Sequence, residues 1–225
     1  MRSKIKKQHT IEVFGIYCGL MLSICATPIV YFLKSETYRA IIKEDQWAEY
    51  ATALALLSGS FVIFKRLFVR WKAIRFPEKF GFVLMAMAMF VGFGEEISWG
   101  QRIFNLQTPV FFSEHNLQNE TNIHNLKIFD IELNQWLFTY GMLTVFTIYF
   151  SIPFWINKIR FVRKIIIRHG LYTPRRSHSL VFLLATLLIH SYPVPRVSEL
   201  WELSFAITML VVIIQARNQD QTSTH

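Results

Sequence analysis

The stretch Phe80-Gly81-Phe82-Val83-Leu84-Met85-Ala86-Met87-Ala88-Met89-Phe90-Val91-Gly92-Phe93-Gly94 is uncharged and runs straight into Glu95-Glu96-Ile97-Ser98-Trp99-Gly100-Gln101-Arg102. An apolar run of this length reads as most of a transmembrane helix, since a hydrocarbon layer needs about 20 residues. The two adjacent carboxylates at its end decide where function is sought. An ionisable group at membrane depth costs about 2.5 to 3.5 kcal/mol on insertion scales, so a pair of them needs a compensating partner or a chemical task.

The rest of the chain fits that frame. Its 225 residues are 52% hydrophobic and 16% aromatic, with a mean hydropathy of +0.31, and the apolar residues gather into long runs. Six runs predict spans: Ile11 to Leu33, Trp47 to Val69, Phe80 to Trp99, Trp136 to Ile156, Leu180 to Val194 and Leu200 to Ala216. The expectation is an all-α membrane protein of about six transmembrane helices, a single polytopic domain over 1–225 in the cell (inner) membrane. The basic stretch before the first run resembles a signal peptide, but the run continues past Cys25 to Leu33 without a small-residue cleavage pattern, so it is read as a retained span. Cys18 and Cys25, seven apart on one helix, are separated by about 10 Å along its axis, too far for a disulfide, and are expected to be buried.

Charge orients the chain. With both termini cytoplasmic, 18 of the 24 basic residues fall on inner segments, as the positive-inside rule requires. The net charge of +9 is therefore a topology signal that suits contact with membrane lipids and gives no reason to expect nucleic acid. Segment 157–176 alternates basic and apolar residues, predicting an amphipathic helix on the inner surface. Twelve of the fifteen acids share the outer side, which predicts an outward-facing polar cavity partly sunk in the membrane.

Four pieces are expected to line it. Glu49 follows Asp45, which is placed to cap the second span, and lies inside the apolar segment. Glu95, Trp99 and Arg102 share one face if the third helix continues, with Glu96 about 100° away. Close carboxylates can share a proton or a metal; a structural Glu to Arg pair closing the helix end is the alternative.

The polar outer connection, 100–133, contains His115-Asn116-Leu117-Gln118-Asn119-Glu120-Thr121-Asn122-Ile123-His124-Asn125-Leu126. On a helix, Glu120 and His124 would sit one turn apart and could hold a zinc-like divalent metal, with His115 or His190 as a further ligand. The competing expectation is an Asn-rich, hydrogen-bonded loop using Asn116, Gln118 and Asn125. The fourth piece is His190 with Glu199 and Glu202 around the last turn. There is no phosphate-binding loop, no Gly-x-Ser-x-Gly and no cysteine pair for metal or redox chemistry.

The string from Gly94 to Arg102, with the Asn-Gln-Glu-His series behind it, resembles the signature of a family of multipass bacterial membrane proteins over about Glu44 to Leu126. That resemblance implies the topology and brings no reaction with it. A second similarity is to the intramembrane CAAX-processing and bacteriocin-processing proteases, which pair two glutamates with an arginine four positions on. Here Arg102 follows Glu96 by six, and the histidines of the 100–133 connection lie outside the spans.

Two functions follow as expectations. One is a metal-assisted hydrolase or transferase on a lipid-linked or membrane-embedded substrate, with Glu95 or Glu96 as general base and Arg102 binding an anionic headgroup; Glu120, His124 and His115 or His190 would hold the metal. The other is a non-enzymatic membrane component, either a cation- or proton-coupled transporter or a scaffold for an envelope complex.

Overall fold

The computed structural model describes residues 2–33, 36, 47–129, 131–191 and 197–216. The expected Asp45 cap, the Tyr192 to Pro195 turn and the polar tail after Arg217 lie outside the described residues. Among them run α1 (Arg2–Leu33), α2 (Trp47–Arg70), α3 (Phe76–Glu96), two short helices α4 (Gln101–Phe104) and α5 (Val110–His115), and a two-stranded hairpin, β1 (Lys127–Ile128) with β2 (Ile131–Glu132). A π-helical turn (Asn134–Gly141) then leads into α6 (Met142–Trp155), followed by α7 (Arg160–Arg168), α8 (Arg176–Ser191) and α9 (Val197–Gln215).

The chain is an all-α membrane protein. Among the described residues, four helical segments are long and apolar enough to cross a bilayer: Val13–Leu33, Trp47–Arg70, Phe76–Glu96 and Ser198–Gln215. A fifth is added if Thr139–Trp155 and Arg160–Arg168, bent by 108° to one another, count as one broken span. The expected fifth span corresponds to α8, whose 16 described residues extend about 24 Å against a hydrocarbon core of roughly 30 Å.

The bend after α6 separates an apolar helix from one of opposite character. In α7, Phe161 and Ile167 are exposed beside four basic side chains while Ile166 is buried. This is the amphipathic element anticipated within 157–176, confined to nine residues.

α2 is the hub, packing against α3 and α9, while α9 also meets α8, and α8 meets α6 and α1. The α2 sequence explains why two helices can approach it. Thr52, Ala55, Leu56, Gly59, Ser60, Ile63 and Leu67 form a buried stripe at helical spacing, with small residues at its middle. A Cβ at Gly59 would overlap Met89 of α3 and lie 3.2 Å from Ile213 of α9. The next residue, Ser60, donates from Oγ to the Ala86 carbonyl at 2.9 Å, a buried bond between α2 and α3.

Across α9, stacked rings fill the other half of the core. Phe146 lies on Phe205 with centroids 3.6 Å apart, and Phe150 on Phe182 at 4.2 Å. The two cysteines do not join this core; both are free and exposed on α1, correcting the expected burial. Among methionines, Met89 packs inward and Met87 faces outward.

The bundle has two chemically different ends. At one, Arg66 of α2 donates to the Ile213 carbonyl of α9 at 2.5 Å and lies over the Tyr172 ring at 5.5 Å. α9 has no basic residue in its own last turn, so Arg66 supplies the positive charge that its carbonyl end attracts. The opposite end collects the start of α2, the end of α3 and the start of α9, and with them Glu49, Glu95, Glu96, Glu199 and Glu202.

Candidate functional site

α3 stops at Glu96, and the reason lies in the next four residues. Ser98, Trp99 and Gly100 all take positive φ, at 48°, 53° and 82°. A helix cannot continue through three successive left-handed residues. The expected face of Glu95, Trp99 and Arg102 is therefore not a helical face, because the chain folds back on itself.

Trp99 nevertheless reaches Glu95, donating from Nε1 to Oε1 at 2.9 Å. Its ring lies across Gly94, where a Cβ would stand 2.8 Å from three ring carbons. Gly94→Ala should therefore push the indole off Glu95 and cost about 1–3 kcal/mol. The check is thermal unfolding together with near-ultraviolet dichroism of the tryptophans; an unchanged signal and melting point would contradict it.

Glu95 is 6% exposed and fully occupied. Its Oε2 accepts from the backbone N–H groups of Ile123 at 2.6 Å and His124 at 3.1 Å, and lies 3.5 Å from His124 Nδ1. One carboxylate thus ties the end of α3 to a loop 28 residues later. A buried carboxylate held by two backbone donors and an indole anchors the loop to the helix end.

The following residues clamp the same loop. Ser98 Oγ donates to Glu120 Oε2 at 2.6 Å, and Asn122 Nδ2 donates to that oxygen at 2.9 Å. Gln101 accepts from the Thr121 N–H through Oε1 and donates to Thr108 Oγ1 at 2.6 Å. Inside the loop, Asn116 Oδ1 accepts from the N–H groups of Gln118 (2.9 Å) and Glu120 (3.1 Å). Its Nδ2 donates to Asn122 Oδ1 at 2.9 Å. Asn116, Asn122 and Asn125 are all buried.

These bonds explain a correction. Residues 120–124 are not helical: the N–H of Thr121 goes to Gln101 and those of Ile123 and His124 go to Glu95, both side chains from the other end of the fold-back. The one-turn spacing of Glu120 and His124 is lost with the helix.

The expected ligand set of Glu120, His124 and His115 is not assembled. Glu120 is held by Ser98, Asn122 and Arg102. His115 stacks on Phe111 at 4.8 Å, with Nδ1 2.9 Å from that residue's carbonyl. His190 stays on α8, with Nδ1 2.9 Å from the Thr186 carbonyl. His124 Nε2 lies 3.0 Å from Asn125 Nδ2. Among the described residues no three His, Cys, Asp or Glu side chains converge in a way that could hold a metal ion.

Arg102 is equally committed. Nη2 donates to Glu49 Oε2 and to the Glu96 carbonyl, both at 2.9 Å, and Nη1 lies 3.4 Å from Glu120 Oε1. It joins α2, α3 and the connection at one point, with Nε buried and without a hydrogen-bond partner among the described residues.

Glu96 is the carboxylate left over. It lies within electrostatic reach of Glu202, Glu49 and Glu199, with Arg102 the cation among them. Glu202 in turn feels His124, Glu199 and Glu49. Neither the Glu96 nor the Glu202 carboxylate makes a hydrogen bond among the described residues. Sequence reasoning placed Glu96 and Glu202 in the site but overlooked Ser98, Gln101 and Asn122 as clamps. Their signal was present in the polar spacing of Ser98, Gln101 and Arg102 after Glu95. No family model, curated protein or solved structure matches the chain.

Proposed function

We propose that the chain is a cation- or proton-coupled membrane component whose acidic end faces outward and binds a positively charged guest between Glu96 and Glu202. The observation that carries this reading is the pair itself: two carboxylates from α3 and α9, at the ends of apolar spans, with no hydrogen-bond donor of their own. Like charges held together at membrane depth are unfavourable unless a proton or a cation lies between them. Arg102 offsets part of the charge but is bound to Glu49 and Glu120. The basic residues at the opposite end set the orientation by the positive-inside rule.

The test is flux. In liposomes carrying a trapped pH-sensitive dye, the wild-type protein is expected to dissipate an imposed proton or cation gradient, and Glu96→Gln and Glu202→Gln to abolish this without lowering the melting temperature. Wild-type liposomes no leakier than empty ones would favour a scaffold instead. The metal-assisted hydrolase draws on the same end of the bundle, but its ligand set is dispersed. Stoichiometric divalent metal retained by purified wild type and lost in His124→Ala would restore it.

A further inference from the structure

The connection between α3 and α6 turns several polar side chains inward, onto Glu95, Arg102 and each other. Its surface carries apolar side chains: Val110, Phe111, Leu117, Phe129, Ile131 and Trp136 are each more than half exposed, beside the exposed Glu114, Gln118, Asn119, Lys127 and Glu132.

Phe129 is the sharpest case. It is 94% exposed and has a φ of 49° at the first position of the two-residue turn between β1 and β2, whose register pairs Ile128 with Ile131. Two-residue hairpin turns favour positive φ and hence Gly, Asn or Asp at such positions. A phenylalanine there is conformationally disfavoured and, projecting into water, gains no burial in return. Leu117 and Phe129 line one shallow concavity with Glu114, His115, Asn116 and Lys127, so the hairpin tip and the end of α5 form a continuous surface.

What covers that surface is indicated by its neighbour in the chain. Four residues after the hairpin, Trp136, Leu137 and Tyr140 open the next apolar segment, all at least half exposed, with the Trp136 and Tyr140 rings 5.8 Å apart. Tryptophan and tyrosine at the mouth of a span are the usual residents of the membrane–water interface. The exposed apolar side chains of the connection are thus continuous with the lipid-facing surface of α6. We propose that the connection is a monotopic anchor, with the hairpin tip and α5 inserted at the headgroup–acyl boundary of the leaflet at the acidic end. The occupant is the lipid surface, and the acidic site then opens beside headgroups rather than into bulk water.

The test is depth-resolved spin labelling of the full chain in phospholipid nanodiscs, with Cys18 and Cys25 replaced by Ala. Labels at Phe129→Cys and Leu117→Cys are expected to collide more with oxygen, which concentrates in lipid, than with a water-soluble nickel complex. A label at Gln118→Cys, exposed on the same connection, should show the reverse. Nickel accessibility at 129 and 117 equal to that at 118 would overturn the proposal. So would labels immobilised and shielded from both probes, which would indicate a protein partner or a second copy. Two label positions guard against a local effect of either substitution, and an unchanged melting temperature establishes that each variant is folded.

Discussion

Glu95→Ala is expected to release the α3–α6 connection from the bundle, while Glu96→Ala leaves it in place. The two carboxylates are adjacent in sequence and opposite in role. Removing Glu95 strands the N–H groups of Ile123 and His124 and the Trp99 indole, and each unsatisfied buried donor costs about 1–3 kcal/mol. Trp99 is 46% exposed and can turn to water, so most of the loss falls on the two backbone donors, for a total of about 3 kcal/mol. Limited proteolysis should then cut between Ile103 and Lys127 faster than in the wild type, and the melting temperature should fall. Glu96 makes no side-chain hydrogen bond among the described residues, so its truncation removes a repulsive neighbour of Glu202 and Glu49 and should leave stability unchanged or raise it. Equal protection in both variants would contradict the division of labour. The contrast also separates folding from function, since a flux defect in a stable Glu96 variant cannot be ascribed to a collapsed loop.

How far the sequence revealed this depends on which physical signal each residue leaves. The spans were legible because lipid selects for long apolar runs, and α2, α3 and α9 lie where composition places them. α8 is the least legible of the expected spans, because hydropathy measures apolarity without measuring helix length, and its described part has 16 residues. Glu96 was picked out as a costly charge at membrane depth, and Glu49, Arg102 and Glu202 as residues lining the same polar end, where Arg102 pairs with Glu49. The roles within the set were not legible. Glu95 and Glu96 are chemically identical and point about 100° apart on α3, and only the backbone reversal at Ser98 to Gly100 decides that the returning loop lands on Glu95. The metal reading of Glu120 and His124 assumed a helix; Gln101 and Glu95 take the N–H groups of Thr121, Ile123 and His124, and residue spacing carries no record of those distant acceptors. The exposed Phe129 was invisible for a similar reason, since its turn depends on the pairing of Lys127 with Glu132.

Arg102→Gln is expected to have the second large effect, through the charges it leaves behind. The guanidinium contacts Glu49 at 2.9 Å and Glu120 at 3.4 Å, with side chains only 16–21% exposed. Breaking a buried pair by removing one partner costs about 3–5 kcal/mol, and partial solvent access puts this site at the lower end. Lysine should restore only part of the loss, because an ammonium on a single stem cannot reach two carboxylates and the Glu96 carbonyl in the fork geometry of a guanidinium. The diagnostic comparison is the double variant Arg102→Gln/Glu49→Gln. Removing the stranded acid of α2 should recover stability relative to Arg102→Gln alone, giving a coupling of about 1–3 kcal/mol in a double-mutant cycle. Additive effects of the two substitutions would show instead that Arg102 matters through Glu120 or the Glu96 carbonyl. Coupling to Glu49 has a consequence for the guest proposed between Glu96 and Glu202. While Arg102 is held by α2 and the connection, it cannot move across to neutralise that pair, and the remaining negative charge stays available to a cation.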